Sequence, residues 1–166
     1  MDVDEAIRTR RTLKEFTKQQ VEVPVLQELL SLAVLAPNHH ETEPWRFWVA
    51  GPETMAKLAD KTGDTKLLRS QTAIVVGVLR NDDPGVAEED YAAVSCALEN
   101  LMLAARARGL ASFWRTPGVL DRKSFAKTVG IPDTVRPIGV IHIGYPEKGF
   151  PETPERTAEQ FTKWLP

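Results

Sequence analysis

The stretch from Ala97 to Trp114 constrains the fold of this chain more than any other. It reads as a nearly all-apolar helix, stopped by Gly109 and delivered into a short strand that ends in Trp114-Arg115-Thr116. No basic residue interrupts the run from Val86 to Ala105, and Tyr91 to Leu98 carries no charge. A helix without a clear polar face must be covered on every side. One domain of 166 residues has too little chain to wrap such a helix completely, so a second subunit is the expected cover. Cys96 lies inside this run and reads as a small core residue with an inert thiol.

Other segments supply the layers around that helix. A first helix is expected from about Val3 to Arg10, capped by Asp2, with Asp4 and Glu5 favourable in its first turn. Pro24 opens a second helix whose apolar positions from Val25 to Ala36 keep the helical period until Pro37 ends it. Trp45 to Ala50 reads as a strand whose Trp45, Phe47 and Trp48 pack the sheet. Pro52 starts a helix through about Lys61, and Ala73 to Leu79 is a continuous apolar run of the kind buried on both faces. After the turn signal Asn81-Asp82-Asp83-Pro84-Gly85 comes the long helix, then a strand from Leu110 to Trp114. A helix from Arg122 to Val129 and a strand from Pro137 to Gly144 follow, and an amphipathic segment from Thr157 to Trp164 closes the chain. Helices outnumber strands and alternate with them irregularly, which favours an α+β sheet covered by helices in a single domain, 1–166.

Composition excludes several function classes. A net charge of −2 gives no electrostatic footprint for nucleic acid or an anionic membrane. A single cysteine excludes an internal disulfide framework. No stretch is long and charge-free enough to span a bilayer and the first residues lack a signal-peptide core, so a soluble cytoplasmic protein is expected. Neither glycine-rich phosphate cradle is present, and no nucleophile elbow accompanies a Ser/His/Asp set. His39 and His40 are adjacent and would diverge on a helix, and no thiolate spacing accompanies them, so no metal site is expected.

Two clusters carry chemistry. Arg10, Arg11, Thr12 and Lys14 place two guanidinium forks, a hydroxyl and an ammonium within five residues, a set suited to phosphate or to a developing anion. The same residues also read as a solvated basic turn at a helix C-terminus. Trp114-Arg115-Thr116-Pro117-Gly118 ends a strand beside a glycine loop, a favoured place for a ligand, and equally reads as a core tryptophan before an ordinary turn. The polar loop with His39, His40, Glu41 and Glu43 stays open between a site and a hydrated connection.

Taken in order, these segments resemble the nitroreductase family of flavoproteins, most of all its small, minimal branch. Arg10-Arg11-Thr12-Leu13-Lys14-Glu15-Phe16 resembles the family's Arg-Arg-Ser-x-Arg-x-Phe motif. Ala36-Pro37-Asn38-His39 through Glu43-Pro44-Trp45-Arg46-Phe47 resembles its Ala-Pro…Gln-Pro-Trp-x-Phe segment. Asn100 to Trp114, Ile143-Gly144-Tyr145-Pro146 and Arg156 to Trp164 are similar to its central helix, last core strand and tail.

The resemblance implies a central mixed, mainly antiparallel sheet in an intertwined homodimer, with FMN at each subunit interface. The tail, 146–166, would pack on the partner subunit. It implies Arg10 and Arg11 at the cofactor phosphate, Thr12 at the ribityl or phosphate region and Lys14 at the pyrimidine edge, where a cation raises the reduction potential. His39 would come from the partner, Trp114, Arg115 and Thr116 would line the cofactor, and Arg156 would reach the phosphate. The activity implied is ping-pong transfer from NADH or NADPH to nitroaromatics, quinones or similar small-molecule acceptors, the flavin rather than a side chain carrying the chemistry. A non-catalytic flavin-binding or redox-partner protein, or a branch specialised in dehalogenation or flavin breakdown, are the alternatives. Thr12 for Ser keeps the hydroxyl, Lys14 for Arg keeps the charge but loses the fork, and Glu43 for Gln adds a negative charge.

Overall fold

The computed structural model describes all residues from Met1 to Pro166. Five helices and four strands alternate along the chain: α1 (Val3–Thr9), α2 (Val23–Ala33), β1 (Trp45–Ala50), α3 (Pro52–Thr62), β2 (Thr72–Leu79), α4 (Pro84–Ala107), β3 (Ala111–Arg115), α5 (Lys123–Val129) and β4 (Val135–Gly144). The sheet order is β1-β2-β4-β3, and every neighbouring pair is antiparallel. Its mixed character comes from one parallel bridge, between Thr12 and Ser112, outside the named strands.

Both faces of the sheet are covered. Ile74, Val76 and Ile141 face α2 and α4 in one apolar cluster with Leu29, Leu98 and Leu101. Ala73, Val75 and Val140 face α3 and α5 in a second, with Met55, Leu58 and Phe125. This is why β2 reads as an unbroken apolar run: all but its last residue are buried. Trp45 and Phe47 join the α4 side and Trp48 the other, so all three serve sheet packing.

Helix α4 is fixed at both ends. Asp83 accepts from the backbone N–H groups of Gly85 and Val86 at 2.8 and 3.2 Å, with Pro84 opening the first turn. At the other end Gly109 takes φ +74°, and the Leu110 N–H donates to the Ala105 carbonyl at 2.9 Å, which reverses the chain into β3. Val94, Ala97, Leu98, Leu101, Met102 and Ala105 are buried. The opposite face stays open in the single chain: Tyr91, Ala92 and Cys96 are exposed and Leu103 is half-covered. The expected burial of Cys96 is therefore corrected. It lies one step off the Val94, Ala97 and Leu98 stripe, on the side the chain itself does not cover.

Two other expectations change. Helix α2 stops at Ala33 rather than Ala36, because its end tightens into i→i−3 bonds (Leu35 N–H to Leu32, Ala36 N–H to Ala33) before Pro37. The expected amphipathic segment from Thr157 to Trp164 is only a 3-10 turn, Glu159–Phe161, with every residue from Pro151 onward exposed. So short a helix is unstable without a surface to pack on. The beginning of the tail is strapped down: Arg106 sits 3.8 Å above the Phe150 ring, and the Thr153 hydroxyl donates to the Arg8 carbonyl at 2.9 Å. No helix is long and apolar enough to cross a membrane.

Candidate functional site

The free edge of the sheet organises the site. β3 is an edge strand, and the chain leaving α1 at Arg10 in extended geometry (ψ 127°) runs alongside it. The Thr12–Ser112 bridge and the Leu13 N–H bond to the Ser112 carbonyl at 3.3 Å hold that register. The two clusters singled out in the sequence, some hundred residues apart, thus line the same edge.

At one end of the edge lies a cleft of about 980 Å³, lined by Arg8, Arg10, Arg11, Thr12 and Arg156, with Glu155 its one acidic lining residue. Arg10 is partly engaged, its Nε 3.2 Å from a Glu99 carboxylate oxygen on α4. Arg11 donates through Nη1 to the Arg10 carbonyl, while its buried Nε has no acceptor. Four guanidiniums around one concavity make a strongly anion-attracting wall, and an unsatisfied buried N–H adds to it.

Further along the edge, Lys14 Nζ lies 5.4 Å above the Phe113 ring and the Arg69 guanidinium 5.9 Å from it. Arg69 donates to the Lys14 carbonyl at 3.4 Å, and its buried Nε is unpartnered. Beneath Phe113 the His142 imidazole is stacked at 5.9 Å and fully buried. The Ser70 hydroxyl donates to the Thr72 carbonyl at 2.6 Å, so at the 2.9 Å contact with His142 Nδ1 the imidazole is the donor and its Nε2 is the free nitrogen. Burial, then the positive charges of Arg115 and Arg69, push the His142 pKa down to about 4, with Asp64 opposing. The imidazole is neutral at pH 7, and the cation pair above it gains no third charge.

On the opposite face of β3, half-buried Trp114 packs toward α4 with its indole N–H unpartnered, over Gly139. A Cβ at residue 139 would stand 2.4 Å from that nitrogen, so only glycine leaves room for the indole. Arg115 is engaged within the chain. Its guanidinium pairs with Asp64 at 2.7 Å, both side chains only 12–13% exposed, tying β3 to the 3-10 turn Thr65–Leu68 that Asp64 caps. The exposed Thr116 hydroxyl reaches the Ile138 carbonyl at 3.5 Å, the limit of a hydrogen bond.

His39 is not part of this edge. It sits in the turn after α2, where its Nδ1 donates to Glu89 at 2.9 Å near the start of α4. Glu89 precedes Glu99, the partner of Arg10, by ten residues, about 15 Å along the helix.

The family model for the nitroreductase family matches residues 7–77 and 62–145, which covers both clusters and the sheet. The chain belongs to the nitroreductase family. Among relatives, the Bacillus subtilis protein YfhC, whose name assigns it provisionally to the NAD(P)H nitroreductases, is 30% identical over 95% of this chain and 91% of its own length. A nitroreductase-like family structure from Bacillus cereus superposes with a TM-score of 0.88 at 30% identity, covering 99% of this chain and 96% of that one. A Desulfovibrio desulfuricans structure described as a nitroreductase in complex with FMN shares the fold with a TM-score of 0.81 at 22% identity, over 100% and 99% of the two chains.

Within this nitroreductase fold, Arg10, Arg11, Thr12 and Arg156 share the cleft, Lys14 and the 114–116 segment share the β3 edge, and His39 stands apart. Sequence reasoning missed Arg8, Arg69 and Phe113. Arg8 carries a local signal, lying one residue beyond the Arg10-Arg11 pair across Thr9. Arg69 lies in a polar connection without periodicity, and only folding brings it beside Lys14.

Proposed function

We propose that this chain is an FMN-dependent NAD(P)H oxidoreductase of the cytoplasm that reduces nitroaromatics, quinones or similar electron-poor acceptors by a ping-pong route. The observation that carries this reading is the continuity of the Arg8, Arg10, Arg11 and Arg156 cleft with the Lys14 and Arg69 pair along one sheet edge. A group with a dianionic phosphate at one end and an electron-accepting ring at the other matches that spacing of charge. The residues fit FMN: Arg11 Nε and Arg69 Nε are buried donors that lack acceptors, and arginine forks match phosphate oxygens. FMN would supply two-electron transfer between a nicotinamide donor and the acceptor. The chain's own part is to bind and to orient. Arg10, Arg11, Thr12 and Arg156 hold the phosphate region, Lys14 and Arg69 place positive charge at the ring's pyrimidine edge, and Trp114 and Thr116 border it. Arg115 acts on the site indirectly, by fixing the end of β3 through Asp64.

The working unit in this reading is a homodimer. The uncovered face of α4 continues into exposed Leu35, just beyond α2, and Val3 and Ile7 of α1, at 74%, 70% and 55% exposure, an apolar surface large for a monomer. His39, held by Glu89 near the start of α4, stands too far from the arginine cleft of its own chain to serve it, and in the dimer serves that of the partner. The tail, 146–166, exposes Phe161, Trp164 and Leu165, which pack on the partner subunit. The test is turnover. NADH or NADPH oxidation by the FMN-loaded chain should depend on added quinone or nitroaromatic. Loaded protein that consumes neither nicotinamide in the presence of both acceptor classes would overturn the enzymatic reading.

A further inference from the structure

Arg69 reaches the β3 edge from a connection that the sheet grips at both ends. The connection begins at Asp64, whose carboxylate accepts from the Lys66 N–H at 3.1 Å and so caps the 3-10 turn Thr65–Leu68. Arg115 holds that carboxylate from β3 at 2.7 Å. Midway, Leu67 is fully buried in the apolar cluster of α3 and α5. The connection ends at buried Ser70, which His142 holds from β4 at 2.9 Å. Phe113 and Arg115 fall on one face of β3 by the strand period, and His142 is the cross-strand partner of Phe113 on β4. Both grips, and the ring between them, therefore lie on a single face of the sheet.

The connection fixes a charge that nothing in the chain neutralises. Lys14 Nζ and the Arg69 guanidinium lie 5.4 and 5.9 Å from the Phe113 ring, and neither is paired with a carboxylate. Two unpaired cations on one ring repel each other, so a loosely held guanidinium would turn into water. Its single hydrogen bond, to the Lys14 carbonyl at 3.4 Å, is too long to hold it alone. The backbone of its neighbour Ser70 supplies the restraint. The Ser70 hydroxyl donates to the Thr72 carbonyl and accepts from the imidazole, which ties the residue after Arg69 to β2 and β4 together. An apolar pair would fill this buried place without any desolvation cost, so what the polar pair adds is direction.

We propose that Ser70 and His142 are positioning residues: they hold Arg69 beside Lys14 and so set how strongly the site prefers the reduced, negatively charged cofactor to the oxidised one. The inference rests on the flavin reading of this edge. A cation favours added electrons only while it stays close to them, and one that turns into water is screened. Ser70 has no charge and His142 is neutral at pH 7, so their effect on the cofactor passes through Arg69.

The test is the midpoint potential of FMN bound to the full chain, read by anaerobic equilibration with a reference dye at neutral pH. Arg69→Ala should weaken the preference for reduced over oxidised FMN roughly tenfold, which is about 30 mV for a two-electron couple. Ser70→Ala and His142→Leu should each weaken it about threefold or more, by loosening the same charge. His142→Gln keeps a donor for Ser70 and should stay near the wild-type value. Adding Ser70→Ala to Arg69→Ala should move the potential no further, because the group it positions is gone. Circular dichroism checks that each variant is folded, and His142→Leu carries the test if Ser70→Ala does not fold. Wild-type potentials in Ser70→Ala and His142→Leu, or an equal fall in the Arg69→Ala background, would overturn the proposal and leave the pair as core packing. A chain that binds no FMN would overturn the flavin reading itself, and this inference with it.

Discussion

Lowering the pH should destabilise this protein through His142 by an amount the structure sets. The imidazole is fully buried against Phe113, with Arg69 and Arg115 close enough to oppose its protonation, and its pKa falls from 6.5 to about 4. As pH falls, the unfolded chain binds the proton first. The stabilisation is therefore fully present above about 6.5, and it is lost progressively as pH falls toward and through 4. At about 1.4 kcal/mol per pH unit, the full gap is worth roughly 3 kcal/mol, of which about 2.5 kcal/mol is lost between pH 7.5 and 4.5. Urea unfolding at both pH values, on the wild-type chain and on His142→Gln, isolates this term, because every carboxylate is common to the two. Gln is neutral throughout and still offers Ser70 a donor. The wild-type chain should lose about 2.5 kcal/mol more than the variant over that interval. Equal losses would refute the reasoning and mean that His142 protonates without hindrance in the folded state.

Other perturbations follow from the same geometry. Arg10→Ala should weaken FMN binding by about 1.5–3 kcal/mol, the worth of a hydrogen bond to a charged group, measured by fluorescence quenching of added FMN; unchanged affinity would return the basic cluster to a solvated turn. Gly139→Ala should destabilise by about 1–3 kcal/mol in thermal or urea unfolding, because the new Cβ collides with the Trp114 indole and β4 backbone has little room to yield; a wild-type midpoint would show that the indole can swing away. Asp64→Ala should cost about 3 kcal/mol by the same assay, since it leaves the Arg115 guanidinium buried without its partner. A stability change near zero would mean that Arg115 turns to solvent.

Much of this molecule is written locally. The Asp2 cap, accepting from the Glu5 N–H at 2.8 Å, Gly109 at positive φ and the apolar run of β2 each follow from residues within one turn or one strand of each other. What escapes the sequence is decided across it. Arg115 stands at a strand end with no local sign of its partner, and only the fold brings Asp64, fifty-one residues earlier, to pair with it. Cys96 looks buried because apolar neighbours surround it in sequence, yet the helical period turns it away from the sheet. The tail looks amphipathic and stays largely irregular, since none of its residues from Pro151 onward is buried against the rest of the fold. His39 and His40 look divergent on a helical template and converge on Glu89 because the backbone turns there. The site is legible as two clusters, and their union along the β3 edge is a property of the fold.

The central claim is that the edge of β3, from the arginine cleft to Lys14, is a flavin site. The most direct measurement is the visible absorbance spectrum of the purified full chain during titration with FMN, beside the same titration of Arg10→Ala. The account predicts a shifted flavin band that saturates at one FMN per chain, with a clearly higher dissociation constant in the variant. A spectrum that remains that of free FMN at high micromolar protein would contradict it.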